Sequence, residues 1–229
     1  MDGEFATDTE PTGRWSLVVP LKPLRLAKSR LAGTAGDALR PRLALAFAQD
    51  TVAAALACAA VRDVAVVTDD PTAAAELGAL GARIVPDSPG DGLNAALAHG
   101  ARVVRTHRPR AAVAALNADL PALRPVELAR VLAAAEPFPR AFLTDAAEIG
   151  TTLLAAAPGK ELNPAFGGPS RLRHLSSGAV EIVLAGVDSV RRDVDTGADL
   201  RVAAELGLGP YTASRYAAHG PLPVRRPGH

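Results

Sequence analysis

The feature that most narrows what this chain can fold into is a regular alternation of short apolar runs with longer helical patterns. Trp15–Pro20 (WSLVVP) and Val64–Thr68 (VAVVT) are almost entirely apolar and are followed by charged residues, so both read as strands buried on two faces. Between them, Asp37–Ala60 carries a long helical pattern in which Pro41 is tolerable only within the first turn. The alternation continues with a helix over Pro71–Leu80, a strand over Ala82–Val85, a helix over Gly92–Thr106, a strand over Ala111–Leu116, a helix over Pro125–Ala135 and a strand over Arg140–Thr144. Strands over Thr152–Ala156 and Ala179–Leu184 then flank a Gly/Pro-rich segment holding a short helix, and Asp199–Leu206 reads as a closing helix. Such an order predicts an α/β fold with a mainly parallel sheet covered on both faces. Ligands of such sheets sit at the carboxyl ends of the strands. One domain is expected over 15–211, with a disordered leader over 1–14 and a flexible tail over 212–229.

Composition excludes several classes. With 229 residues the chain is long enough for one large core, and 48% hydrophobic against 21% charged residues is too apolar for a disordered chain. A net charge of +1 and only 3% aromatic residues argue against nucleic-acid binding, which needs a basic face or stacking platforms. The single cysteine, Cys58, forbids an intrachain disulfide, suits a reducing compartment, and sits in the apolar run VAAALACAAV as a buried thiol. That run is too short to span a bilayer, and the acidic N-terminus lacks the apolar core of a signal peptide, so a cytoplasmic protein with no membrane partner is expected.

Several chemistries have no motif here. The chain contains no G-x-x-x-x-G-K-[ST], no C-x-x-C, no H-E-x-x-H and no G-x-S-x-G, and its five histidines show no metal-ligand spacing. Gly90–Ala95 (GDGLNA) fits the G-x-G-x-x-A spelling, but the window about twenty residues on lacks the acidic residue that a dinucleotide site requires. It reads as a loop entering a helix.

Charged loops at strand ends are more informative. After the first strand, LKPLRLAKSRL packs Lys22, Arg25, Lys28 and Arg30 together, which suits a polyphosphate; the alternative is a solvated basic loop. Asp119 follows an apolar strand in LNADLPAL, Asp193 and Asp195 precede the last helix in VRRDVDTGADL, and Asp69 and Asp70 close the second strand. Mg²⁺ prefers one or two carboxylates plus substrate phosphates, so carboxylates facing a cationic loop suggest a metal–nucleotide site. Their structural alternatives are a helix cap for Asp193 or Asp195 and a turn before Pro121 for Asp119. Gly150-Thr151-Thr152 and Phe166-Gly167-Gly168-Pro169-Ser170 present turn amides, with Ser170 opening a helix and Arg171, Arg173 and His174 following. Together they suggest a second anion pocket; the alternative is an ordinary surface loop.

In this order, VVPLKPLRLAKSRL, LNADLP, the GTT turn, FGGPSRLRHLSSGAVE and RRDVDTGADL resemble the CofC/FbiD-type guanylyltransferases of deazaflavin coenzyme F-420 biosynthesis. The resemblance runs from about Trp15 to Tyr211. It implies a GT-A-like, Rossmann-related nucleotidyltransferase fold and transfer of GMP from GTP to phosphoenolpyruvate, giving enolpyruvyl-diphospho-guanosine and pyrophosphate. It further implies Lys22, Lys28 and Arg30 in the triphosphate loop, Asn94 in the nucleoside pocket, and Thr151, Gly167, Gly168 and Ser170 in the acid-substrate loop. Asp119 matches a Mg²⁺ aspartate, and Asp193, Asp195 or both match the second metal position. One of that pair is expected to face the metal, with Asp195 favoured by its DxD-T spelling. Two spellings depart from the family pattern: Asn117 stands where some relatives have an acidic residue, and FGGPS replaces FGPxS.

A phosphate monoester is mostly dianionic at neutral pH, since its second pKa is near 6, so the implied reaction needs no protein base. Positioning and cationic stabilisation by Lys22, Lys28, Arg30 and Mg²⁺ would suffice. The alternatives are the same reaction on 2-phospho-L-lactate or 3-phospho-D-glycerate, a molybdopterin guanylyltransferase, and a non-catalytic nucleotide-binding protein. The expected partners are GTP and a small phosphorylated three-carbon acid, and a homo-oligomer is compatible with the sequence.

Overall fold

The computed structural model describes residues 15–26, 32–88 and 90–219, without the side chains of 32–38 and 218–219. Seven strands form one sheet: β1 (Trp15–Pro20), β2 (Val61–Val67), β3 (Arg83–Val85), β4 (Ala112–Leu116), β5 (Arg140–Thr144), β6 (Thr151–Ala156) and β7 (Val180–Glu181), in the order β3-β2-β1-β4-β6-β5-β7. β6 runs antiparallel to β4 and β5, and every other pairing is parallel. The mainly parallel α/β sheet expected from the alternation is thus observed. The single reversal has a local cause. β5 and β6 are joined by a short turn in which Asp145 accepts the amides of Ile149 and Gly150 at 3.0 and 2.8 Å. A Cβ on Gly150 would collide with that carboxylate, so the glycine lets Asp145 close over the turn.

Strand alternation divides the core. Leu17 and Val19 of β1 face one layer with Ala114, Leu116, Leu143 and Leu153. That layer is covered by α1 (Ala32–Leu56), α2 (Pro71–Ala79) and α4 (Pro125–Ala135), through Ala48 and Val52, Leu77, and Leu128 and Leu132 respectively. Val18, Val113, Ala115, Phe142 and Leu154 face the other layer, under α3 (Leu93–His107) and the 157–179 segment. α3 comes closest to the sheet at Gly100, where a Cβ would lie 2.5 Å from Val18 and 2.7 Å from Val67.

Helix starts follow sequence chemistry. Asp70 caps α2 by accepting the amides of Thr72 and Ala73 at 3.0 Å each, with Pro71 opening the first turn. α7 (Gly197–Leu206) begins with a capping box between Thr196 and Asp199.

Four expectations need adjustment. α1 begins at Ala32, so Pro41 lies inside the helix and not in its first turn, and the helix gives up one internal hydrogen bond there. α1 also ends at Leu56, which leaves Cys58 buried in the turn to β2. β7 has only two residues, because the chain leaves the sheet edge at Ile182. Finally, α6 (Asp188–Arg191) and α8 (Pro210–His219) have no counterpart in the sequence reading. Asp50 of α1 accepts the amides of Tyr211 and Thr212 at 3.0 and 2.7 Å, and Leu206, Leu208 and Tyr216 pack against Leu39, Leu43 and Phe47. Among the described residues, no helix is long and apolar enough to cross a membrane.

Candidate active site

The topology gathers one edge of the sheet. β1, β2, β4 and β5 end there, and because β6 is reversed, it begins there with Thr151. The amide of Asn117, just past β4, donates to the Thr152 carbonyl at 3.0 Å, so the segment leading to Asp119 runs beside the GTT turn.

Asp119 is held on a backbone mount. Thr51 of α1 accepts the Leu120 amide at 3.0 Å, and its hydroxyl lies 2.8 Å from the Phe47 carbonyl and 3.3 Å from that of Ala118. The Asp119 carbonyl accepts the Val194 amide at 3.0 Å, which seats the 193–195 turn directly against it. Oδ1 of Asp119 is shielded from solvent. Val194 is fully buried among Leu39, Leu43 and Leu200, whereas Asp193 and Asp195 are partly exposed. Residues two apart in an extended segment share a face, so strand alternation would not by itself separate the two carboxylates. Neither aspartate is the side-chain cap of α7, because Thr196 has that role.

The two Gly-containing turns also meet. The Arg171 amide donates to the Ile149 carbonyl at 3.1 Å, and Ser170 Oγ lies 3.1 Å from Thr151 Oγ1. Gly167 and Gly168 have φ of 92° and 47°, the left-handed region that glycine enters without strain. Asn94 at the start of α3 grips the same loop: its Oδ1 accepts the Phe166 amide at 2.7 Å and its Nδ2 donates to the Phe166 carbonyl at 3.1 Å. Asn94 therefore ties the candidate nucleoside wall to the candidate acid loop. The helix after that loop, α5 (Ser170–Ser176), is only two turns long. Arg171 pairs with Glu181 at 2.8 Å and Arg173 donates to the Ala165 carbonyl at 3.0 Å, so both have structural partners.

In the first loop, Lys22 is exposed just beyond β1. Lys28 and Arg30 lie outside the described residues. Asp70 holds this loop as well as α2, accepting the Leu24 amide at 2.9 Å. Asp69 accepts the Asp87 amide at 2.9 Å. These two carboxylates therefore serve as loop anchors.

The sequence places His174 beside the anion pocket, but Thr51 and Arg140, which hold these parts in place, are not legible in it. Arg140 of β5 reaches the carbonyls of Leu162, Asn163 and Ser177 at 3.1 to 3.2 Å, clipping the whole 157–177 segment to the sheet. His174 lies beneath the acid loop, 2.9 Å from Thr151 Oγ1. Desolvation by burial, followed by the charges of Arg140 and Arg173, lowers its pKa to about 4. Thr51 and Arg140 carry no local motif, since each acts on a segment remote in sequence.

The donor chemistry fits a hard cation. Asp119, Asp193 and Asp195 offer carboxylate oxygens at the sheet edge where phosphates would arrive. Among the described residues, no three His, Cys, Asp or Glu side chains are gathered closely enough to hold an ion by themselves. A Mg²⁺ site of one or two carboxylates is completed by phosphate oxygens and water. A cavity of about 820 Å³ lined by Trp15, Arg62, Arg108, Arg110 and Glu136 lies at the opposite edge of the sheet, where β1 and β4 begin.

Comparison with known proteins agrees with this layout. Residues 42–191 match the MobA-like NTP transferase domain. A solved nucleotidyl transferase from Methanothermobacter thermautotroptrophicus shares the fold with a TM-score of 0.62, at 24% identity, over 84% of this chain and 97% of that one. This supports the α/β, GT-A-like, Rossmann-related nucleotidyltransferase fold. The phosphoenolpyruvate guanylyltransferase of Streptomyces avermitilis is 75% identical over 204 residues, covering 89% of this chain and 94% of that protein. The phosphoenolpyruvate guanylyltransferase of Thermomonospora curvata is 59% identical over 225 residues, covering 98% and 96%. The chain belongs to the phosphoenolpyruvate guanylyltransferase family, a family of nucleotidyltransferases built on the MobA-like NTP transferase domain.

Proposed function

We propose that this enzyme transfers GMP from GTP to phosphoenolpyruvate, releasing pyrophosphate and forming enolpyruvyl-diphospho-guanosine for coenzyme F-420 biosynthesis. The observation that carries this reading is the meeting of two loops at one sheet edge: the Asp119 and 193–195 pair beside the Thr151 and Gly167–Ser170 pair. The names of the 75% and 59% identical relatives support the choice of acid.

The reaction needs two anions brought together and charge on the departing pyrophosphate stabilised. Lys22, Lys28 and Arg30 bind the triphosphate. Asn94 orders the boundary between nucleoside and acid. Thr151, Ser170 and the amides around Gly167 and Gly168 hold the acid, oriented so that its phosphate faces the α-phosphorus of GTP. The attacking oxygen carries no proton to be removed, so no side chain acts as base. Asp119, Asp193 and Asp195 would hold Mg²⁺, which would supply positive charge to offset the repulsion of the phosphates.

The test is pyrophosphate release from GTP with phosphoenolpyruvate, 2-phospho-L-lactate and 3-phospho-D-glycerate in separate reactions, each with and without Mg²⁺. Turnover is expected with GTP and phosphoenolpyruvate, and should vanish on chelation. Preference for either other acid would move the substrate assignment, and absence of turnover with all three would overturn it.

A further inference from the structure

His174 is completely buried, with the Phe142 and Phe166 rings centred 5.5 and 5.2 Å from its own. Its two nitrogens have different partners. The Ala165 amide donates to Nε2 at 3.1 Å, so Nε2 carries no proton. The neutral ring then carries its proton on Nδ1, which donates to Thr151 Oγ1 at 2.9 Å. Ser170 Oγ donates to the same Thr151 oxygen at 3.1 Å. A hydroxyl oxygen has two acceptor positions and one hydrogen. With both positions filled, the Thr151 hydrogen is left to donate. Turning both hydroxyl rotors moves that hydrogen to Ser170 and leaves the count unchanged. The opposite tautomer would consume it, because Nδ1 would accept, and would set Nε2–H against the Ala165 amide.

We propose that His174 is a positioning residue for the phospho-acid: its Nδ1-protonated ring forces the Thr151–Ser170 hydroxyl pair to offer one hydrogen to an anionic oxygen of that substrate, while Nε2 fixes the Ala165–Phe166 backbone of the same loop. This rests on the assignment of Thr151 and Ser170 to the acid site. Asn94 holds Phe166 through its side-chain amide, so the loop backbone is gripped by two side chains at adjacent residues. The charged groups acting on the ring are Arg140 of β5 and Arg173 of α5, and with burial they keep it neutral at physiological pH.

The test compares wild type with His174→Phe, which keeps a ring between the two phenylalanines, and His174→Asn, whose side-chain amide can replace the Nδ1 donor. In His174→Phe the KM for the phospho-acid should rise about tenfold or more, the scale of one lost hydrogen bond to a charged group, while the KM for GTP stays within about twofold. His174→Asn should recover much of the acid KM despite losing the Nε2 contact. In the free wild-type enzyme, long-range proton–nitrogen correlation should place the ring proton on Nδ1, a readout that needs neither activity nor a folded variant. A proton on Nε2, an unchanged acid KM in a folded His174→Phe, or equal loss of GTP and acid use would overturn the proposal. Wild-type enzyme that turns over none of the three acids would instead remove the functional reading on which it rests.

Discussion

Asp119 is visible in the sequence as the aspartate after an apolar run and before Leu-Pro, but what fixes it is not. Its neighbour Leu120 hangs on Thr51, a residue of a distant helix whose hydroxyl also approaches the Ala118 carbonyl. No local pattern marks such a threonine, because its role arises only when α1 packs beside the end of β4. The DVD pair was likewise legible as carboxylates, while the hydrogen bond that seats Val194 between them against the Asp119 carbonyl was not. Asp119→Asn keeps side-chain shape and replaces a charged ligand with a poor one. Turnover should fall by about a hundredfold or more, a loss of a few kcal/mol of charge stabilisation, with an unchanged melting temperature. Asp193→Asn and Asp195→Asn should each lower turnover and raise the Mg²⁺ concentration required, as expected of two carboxylates at one metal site. A Mg²⁺ titration of steady-state rate checks both, and indifference of both variants would remove the 193–195 turn from the metal site.

At the level of elements, the strands and helices with strong periodicity were legible, and those that depend on remote partners were not. α4 and β5 fall on their expected bounds, whereas α8 went unread because its sequence, PYTASRYAAH, has no Leu, Ile, Val, Met or Phe to mark a core-facing stripe. Its start is capped by Asp50, 161 residues earlier than Tyr211. Asp50 is 4% exposed and holds two amides, and Gly209 must lack a Cβ to let the carboxylate approach. Asp50→Ala would leave those amides buried without an acceptor, and should destabilise the protein by about 2 to 3 kcal/mol in urea unfolding. The acid loop offers a complementary test on function. Gly168 has a φ of 47°, so Gly168→Val forces a β-branched residue into the left-handed region at a cost of about 1 to 3 kcal/mol. The loop should distort locally, raising the KM for the phospho-acid while that for GTP stays nearly unchanged. The reverse pattern would mean that the two substrate pockets have been exchanged.

On the scale of the whole molecule, the alternation of apolar runs and helices sufficed to anticipate a mainly parallel, doubly covered sheet. It could not give the strand order or the reversal of β6, which rest on the Asp145–Gly150 turn and on pairings between distant strands. That reversal brings Thr151 to the ligand edge and His174 beneath it, so the fold as a whole carries a buried neutral imidazole. Its consequence for global stability has a definite sign. The His174 pKa is lowered from 6.5 to about 4 in the folded protein, so between those values the unfolded chain binds a proton that the folded one excludes. Stability from this group is therefore fully present above about pH 6.5, declines as pH falls, and is lost once pH passes through the folded value near 4. The full gap corresponds to about 3 kcal/mol, from 1.36 kcal/mol per pKa unit. Carboxylates also titrate towards the acid end of this window, so the measurement is a difference. Urea unfolding of wild type and His174→Asn should be followed from pH 7.5 to about pH 4, the range spanned by the two imidazole pKa values. The wild-type curve should fall more steeply with acidification, so that the difference between the two curves moves in the variant's favour by about 3 kcal/mol across the window. Parallel curves across the whole range would mean that His174 is charged in the folded protein or that its burial is relieved before the molecule unfolds.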